Sequence, residues 1–159
     1  MFSQILAAID GSETGRRALL QAIEMKKLYN SQLTIMHVVE TAIRRPTTTY
    51  VEKSVVSGEL AQTLATLPDS TLKKTLLRAT TVLEEARLTA EKEGVKPRLV
   101  LRDGEPAAEI LREASKSFDL IILGFRGEHP SGIGLGSVVN RVVANAPCSV
   151  LVIRHSSID

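Results

Sequence analysis

Short apolar segments alternate with segments of helical period along this chain, and this alternation constrains the fold more than any other feature. Residues 5–9 are apolar throughout and end at the turn residues Asp10, Gly11 and Ser12. From residue 13 to 29 apolar residues recur every three or four positions, behind Ser12 as a favourable N-cap. The same succession continues, which predicts strands at 5–9, 33–39, 98–102, 120–123 and 149–153 and helices at 13–29, 72–90, 106–114 and 137–145.

Strands that alternate with helices, and that are apolar at successive positions, are typical of a parallel sheet covered on both faces. Right-handed crossovers favour the strand order 3-2-1-4-5 for such a sheet. We therefore predict an α/β fold with a single doubly wound five-stranded parallel sheet, in one domain spanning residues 1–159. The pattern is lost between residues 41 and 69, where we expect a flexible surface excursion with room for a helical turn at 59–66.

The composition predicts few partners. Lys and Arg number 20 against 18 Asp and Glu, and a net charge of +2 indicates neither nucleic acid nor a membrane surface. The apolar segments are too short for membrane insertion, and no secretory signal precedes the first strand. A lone cysteine, Cys148, favours a reducing compartment, so we expect a cytoplasmic protein. Three histidines, His37, His129 and His155, lack metal-ligand spacing, and no structural metal is predicted.

The predicted topology places a ligand crevice between strands one and four, where the loops at their carboxyl ends diverge. The first loop begins at Asp10. The second contains the densest glycine cluster of the chain and leads directly into the helix that begins at Ser137; the glycines are Gly124, Gly127, Gly132, Gly134 and Gly136. Glycines allow backbone amides to approach an anion, and a helix N-terminus adds unpaired N–H groups. The pattern indicates phosphate binding, although a glycine-rich surface connection would look similar.

Several side chains suit such a site. Ser137 can donate its hydroxyl to a phosphate oxygen, and Val138 offers a backbone amide. Asp10 would repel bare phosphate, so we expect it to contact ribose hydroxyls or a Mg²⁺ ion, in addition to a turn or capping role. Arg126 either neutralises phosphate charge or is simply solvated.

Five segments of the sequence resemble the universal stress protein family, and together they span essentially the whole chain. These are residues 7–13, 36–39, 124–127, 136–138 and 147–152. The resemblance implies an adenine nucleotide alpha hydrolase-like fold, bound ATP (with ADP or AMP as alternatives), and Mg²⁺ carried by the nucleotide near Asp10. It also implies a homodimer formed through the last strand, residues 149–153.

The resemblance further implies a role for individual residues. The backbone of Val38 would contact adenine, and Asp10 and Ala8 would line the adenosine. Other residues of the site would hold phosphates: Gly124, Gly127, Gly136, Ser137 and Val138. Ile9, Leu123 and Arg126 would lie beside them, at the ends of strands one and four.

The sequence departs from the family pattern in the phosphate loop. ATP-binding members have nine residues between the second and third glycines, whereas residues 128–135 number eight here. Two functions follow: an ATP-binding regulatory protein of the stress response, or a nucleotide-free dimeric interaction module.

A slow ATPase or adenylate-forming enzyme is a third, less favoured function. The sequence has no Gly-x-x-x-x-Gly-Lys-Ser/Thr segment, so the lysine of P-loop enzymes is absent. Residues 10–15 do not match the Ser-Gly-Gly-x-Asp-Ser segment of adenylate-forming enzymes, and no Gly-x-Gly-x-x-Gly follows strand one as in dehydrogenases. Catalytic residues are therefore not predicted.

Overall fold

A computed structural model describes residues 1–41, 62, 64–125 and 136–154. Its sheet consists of five parallel strands in the order β3-β2-β1-β4-β5, which confirms the predicted topology. In chain order the strands are β1 (Gln4–Ala8), β2 (Gln32–Val39), β3 (Arg98–Asp103), β4 (Leu120–Gly124) and β5 (Ser149–Ile153). β1 lies at the centre between β2 and β4, so the chain leaves it in both directions and creates the expected switch point.

Helices cover both faces of this sheet. One face packs against α1 (Glu13–Tyr29) and α2 (Thr71–Lys92), and the other against α3 (Pro106–Ala114) and α4 (Ser137–Asn145). Side chains alternate along β1 accordingly: Ile5 and Ala7 enter the core below α1 and α2, and Leu6 enters the core on the other face. The uniformly apolar strands follow from this double coverage, because both faces of each central strand are buried.

A buried ionic cluster joins β3 to α3. Arg102 donates through Nη2 to Glu113, and its Nη1 lies 4.0 Å from Glu109. All three residues are buried, with at most 5% of their surface exposed. Half-exposed cations extend the cluster to the surface, with Arg112 donating to Glu109 and Lys116 to Glu113, each at 3.0 Å. Buried charges are stable only when they are paired in this way.

Most of the expected excursion at 41–69 lies outside the described residues, so its flexibility stays a prediction. Residues 62 and 64–66 are helical, within the segment where the sequence has room for a helical turn. Leu64 and Leu67 pack against the core beneath α1 and α2. Across the described ranges, no helix is both long and apolar enough to cross a membrane.

Candidate functional site

A cavity of about 440 Å³ opens where the carboxyl ends of β1 and β4 separate. Every predicted site residue that the structure describes lines this cavity; these are Ala8, Ile9, Asp10, Val38, Leu123, Gly124, Gly136, Ser137 and Val138. Arg126 and Gly127 lie outside the described residues. Residues that are distant in sequence therefore converge at the switch point, as expected for a ligand site in an open α/β sheet.

Sequence reasoning missed the wall that α3 contributes. Pro106 and Ile110 line the cavity from this helix, and Met36, His37 and Glu40 line it from β2 and its end. Pro106 follows the carboxyl end of a strand, which is the one signal that could have placed it near the site. Whether Ile110 faces the cavity depends on the angle at which α3 crosses the sheet, and the sequence does not determine that angle.

The N-terminus of α4 differs from the N-termini of the other three long helices. Ser12 caps α1, Ser70 caps α2 and Glu105 caps α3 by accepting backbone N–H groups. Gly136 precedes α4, and no side chain among the described residues caps this helix by a hydrogen bond. The first N–H groups of an α-helix have no intrahelical partner, so those of α4 point outward at the cavity with the positive end of the helix dipole.

Gly136 adopts a backbone conformation that favours glycine. Its φ is +77° and its ψ 158°, a region that residues with a Cβ rarely enter. A Cβ built on Gly136 would meet nothing within 4 Å. The glycine is therefore needed for the direction of the chain as it enters α4, and not for space.

Gly124 has a different physical role, because it lets β4 end directly against the start of α1. A Cβ at this position would lie 2.5 Å from the carbonyl carbon of Thr14 and 2.7 Å from the amide nitrogen of Gly15, both backbone atoms. This close approach fixes the spacing of the two loops that border the cavity. The need for glycine at 124 is thus explained by packing alone, independently of any ligand.

Asp10 is held in place by the turn that follows β1. Its Oδ1 accepts from the backbone N–H of Ser12 at 2.9 Å and from the Ser12 hydroxyl. The same hydroxyl oxygen accepts from the N–H of Gly15 at 3.1 Å, which completes the cap of α1. The cap makes the α1 N-terminus less available to an anion, and Asp10 lines the cavity edge.

The backbone of β2 alternates between its two neighbours, and Val38 falls on the side of β1. The N–H of Ile9 donates to the carbonyl of Met36 at 2.9 Å, and the N–H of Gly104 donates to the carbonyl of Val39 at 2.9 Å. Even-numbered residues of β2 therefore bond toward β1 and odd-numbered ones toward β3. The N–H and C=O of Val38 lie one step beyond the last bond to β1, at the cavity.

His37 connects β2 to the loop after β1. Its Nδ1 lies 2.8 Å from the carbonyl oxygen of Ile9. Because a carbonyl can only accept, Nδ1 carries the hydrogen. Burial lowers the pKa of His37 below the ordinary 6.5, and the bond to Ile9 and the charge of Asp10 oppose this shift less strongly. The ring is thus neutral at physiological pH.

Comparison with known proteins places this chain in a family. A model of the universal stress protein family matches residues 1–154. The universal stress protein YxiE of Bacillus subtilis is 33% identical over 158 residues, which cover 97% of this chain and 100% of that protein. A universal stress protein of Thermus aquaticus is 34% identical over 158 residues, which cover 97% of this chain and 100% of that protein.

Solved structures share the fold. UspA of Lactobacillus plantarum superposes with a TM-score of 0.71 at 24% identity, covering 96% of this chain and 97% of that one. A universal stress protein in complex with cAMP has a TM-score of 0.67 at 21% identity over 98% and 99% of the two chains. A universal stress protein family protein from Arabidopsis thaliana with AMP bound has a TM-score of 0.63 at 16% identity, covering 98% of this chain and 93% of that one. The chain therefore has their adenine nucleotide alpha hydrolase-like fold.

Proposed function

Because the chain belongs to the universal stress protein family, we propose that its cavity binds ATP and that the protein acts in the stress response as a nucleotide-dependent regulator. One observation carries the proposal: α4 begins at the cavity without a side-chain cap, whereas α1, α2 and α3 are all capped. Open N–H groups at a helix N-terminus are a favourable site for phosphate. In this proposal Gly136, Ser137 and Val138 contact the phosphates, together with Gly124, Arg126 and Gly127.

The backbone N–H and C=O of Val38, which lie beyond the last bond to β1 and form its open edge, support adenine as the base. Adenine presents an acceptor at N1 beside a donor at its exocyclic amine, which complements an adjacent backbone N–H and C=O. Guanine presents the reverse order at these positions, so a donor would face the N–H and an acceptor the C=O. Sites that bind a base through such pairs discriminate strongly, because the wrong base leaves buried polar groups unpaired. Ala8, Ile9 and Leu123 would provide the apolar wall beside the ring.

In this proposal Asp10, which lines the cavity, contacts the ribose or a cation. Across the described ranges, no group of three or more His, Cys, Asp or Glu residues could hold a metal ion. Mg²⁺ would therefore arrive on the phosphates, near Asp10. The ion would neutralise phosphate charge that the chain itself leaves unbalanced.

Two solved proteins of this fold bind adenine nucleotides, one cAMP and the other AMP. These likenesses extend to the fold alone, so the choice of ATP over ADP or AMP depends on the phosphate site of this chain. The absence of a P-loop lysine from the sequence favours binding over fast hydrolysis. A homodimer through β5 and a cytoplasmic location belong to the same proposal.

Mass spectrometry and calorimetry test the proposal directly. Nucleotide released by denaturing the purified protein is identified by mass, and ATP, ADP and AMP are then titrated with Mg²⁺. GTP is the matched control, because it differs from ATP only in the base. We expect ATP to bind and GTP to bind much more weakly. Absence of both released nucleotide and measurable binding would reject the proposal.

A nucleotide-free interaction module is the second candidate, and one feature favours it. The loop between Gly127 and Gly136 is one residue shorter than in the family's ATP-binding pattern. If the calorimetry finds no nucleotide while the chain still forms a stable dimer, this second function replaces the first.

A further inference from the structure

The carbonyl of Ile9 lies at the point where β1 and β2 stop pairing. The last backbone bond between them runs from the N–H of Ile9 to the carbonyl of Met36, at 2.9 Å. In a parallel ladder the next bond would join the N–H of Val38 to the carbonyl of Ile9. That bond is absent from the described backbone bonds, and the Ile9 carbonyl accepts from Nδ1 of His37 at 2.8 Å instead.

The ring of His37 does not extend from the face on which the cavity mainly lies. Its odd-numbered neighbours on β2, Ile35 and Val39, enter the core beneath α1 and α2, whereas Met36 and Val38 belong to the opposite core. The imidazole therefore bonds to the loop after β1 from the α1 and α2 side. Its effect on a ligand in the cavity must pass through the backbone of Ile9 and Val38.

We propose that His37 is a positioning residue that keeps the backbone edge of Val38 open for the adenine base. By donating to the Ile9 carbonyl, the ring holds this oxygen in a direction that does not close the ladder onto the Val38 N–H. A backbone N–H at the wall of a binding cavity needs an acceptor once a ligand displaces water. With Ile9 held by His37, the acceptor left for Val38 is N1 of the base. This inference rests on the proposed function and assigns to His37 the geometry of its base subsite.

Two variants of nearly equal shape separate the role of the donor from the role of the side-chain volume. His37→Asn places an amide N–H close to the position of Nδ1. His37→Leu has the same branched shape as Asn and no donor. The proposal expects the Asn variant to behave as the wild type and the Leu variant to close the ladder between Val38 and Ile9.

The first measurement needs no nucleotide. Scalar coupling across a hydrogen bond, between ¹⁵N of Val38 and the carbonyl ¹³C of Ile9, reports whether the ladder bond exists. It should be absent in the wild type and in His37→Asn, and present in His37→Leu together with slower exchange of the Val38 amide. A Leu variant that folds without this coupling overturns the proposal. A coupling in the wild type, or a ring protonated on Nε2 alone, overturns it without any variant.

The second measurement connects the open edge to the base. ATP is compared with 1-deaza-ATP, which lacks the N1 acceptor. His37→Leu should weaken ATP binding about tenfold, the scale of one hydrogen bond, and leave 1-deaza-ATP binding unchanged. Equal weakening of both nucleotides would mean general distortion and would overturn the role in base binding. One further outcome separates the two claims. If neither the wild type nor the variants bind ATP, the proposed function and the role of His37 in base binding both fail. If the scalar couplings still follow the expected pattern in the three proteins, the effect of His37 on the ladder stands.

Discussion

Two titratable side chains at the cavity are anchored by the backbone around them. Asp10 accepts from the N–H of Ser12 at 2.9 Å, and His37 donates to the carbonyl of Ile9 at 2.8 Å. Each bond fixes the direction of a side chain or of a strand end. The loop after β1 is thereby held in one conformation before a ligand arrives, which lowers the entropic cost of binding.

The lowered pKa of His37 predicts a loss of stability in mild acid. The unfolded chain takes up a proton near the ordinary pKa of 6.5, while the folded chain does so only at lower pH. The free energy of unfolding should therefore fall as pH decreases below 6.5, by at most about 1.4 kcal/mol per pH unit from this group. Urea denaturation between pH 7.5 and 5 measures it. His37→Asn removes the ionisable ring and should flatten the profile, so an unchanged slope in that variant would contradict the prediction.

A second prediction compares Gly136 with Gly94, which follows α2. Their φ values are +77° and +75°, and a Cβ at either position would meet nothing within 4 Å. Substitution of either by Ala should lower the unfolding free energy by about 1–3 kcal/mol, because a Cβ disfavours a positive φ at both positions. Only Gly136→Ala should also weaken ATP binding, since it redirects the chain at the start of α4. Equal affinities in the two variants, measured by calorimetry, would move the phosphate site away from α4.

At the level of whole elements, α3 and α4 form one side of the cavity and are joined at the surface. Glu105 caps α3 by accepting from the N–H groups of Ala107 and Ala108, and Arg141 of α4 lies 2.6 Å from the same carboxylate. Burial acts to raise the pKa of Glu105, but these bonds outweigh it and lower the pKa. The pair is half-exposed and contributes little energy by itself. It joins the N-terminus of α3 to the middle of α4.

The third prediction concerns the charge at that N-terminus. Ser137→Asp should leave stability unchanged or slightly raised, because a carboxylate in the first turn interacts favourably with the helix dipole. The same carboxylate should repel phosphate and weaken ATP binding more than tenfold. Ser137→Asn has nearly the same size without the charge and should weaken binding less. Thermal unfolding and calorimetry on both variants measure the two effects, and similar affinities for Asp and Asn would contradict an anion site there.

At the scale of the whole molecule, β5 is an edge strand whose outer side has no neighbour among the described residues. The N–H of Phe125 donates to the carbonyl of Ile153 at 2.7 Å, so odd-numbered residues of β5 bond to β4. Val150 and Val152 therefore direct their backbone groups outward. An unpaired edge of this kind is suited to pairing with a second chain.

The fourth prediction uses this register to test the proposed homodimer. Val150→Pro removes an outward N–H and leaves the bonds to β4 intact, so it should fold and be monomeric. Leu151→Pro is the matched control, because it removes an N–H that bonds inward and should destabilise the domain. Light scattering after gel filtration gives the mass, and circular dichroism gives the fold. A dimer that persists in a folded Val150→Pro protein would exclude pairing through this edge.

The sequence by itself determined the element types, the strand order and the location of the candidate site. It could do so because periodicity depends on which faces are buried, and because right-handed crossovers leave few topologies for alternating strands and helices. Asp10 and Ser137 were found in this way, since both follow directly from the ends of elements. The resemblance carried by local segments added Val38, whose proposed role depends on backbone direction and not on its side chain.

Tertiary structure alone decided which distant residues meet. Ile110 reaches the cavity because α3 crosses the sheet at a particular angle, and Arg102 is buried because Glu109 and Glu113 lie opposite it on that helix. His37 became informative only when its ring was found on the carbonyl of Ile9. Contacts of this kind depend on distances and directions in space between groups far apart in sequence, and a one-dimensional pattern of apolar and polar residues contains neither quantity.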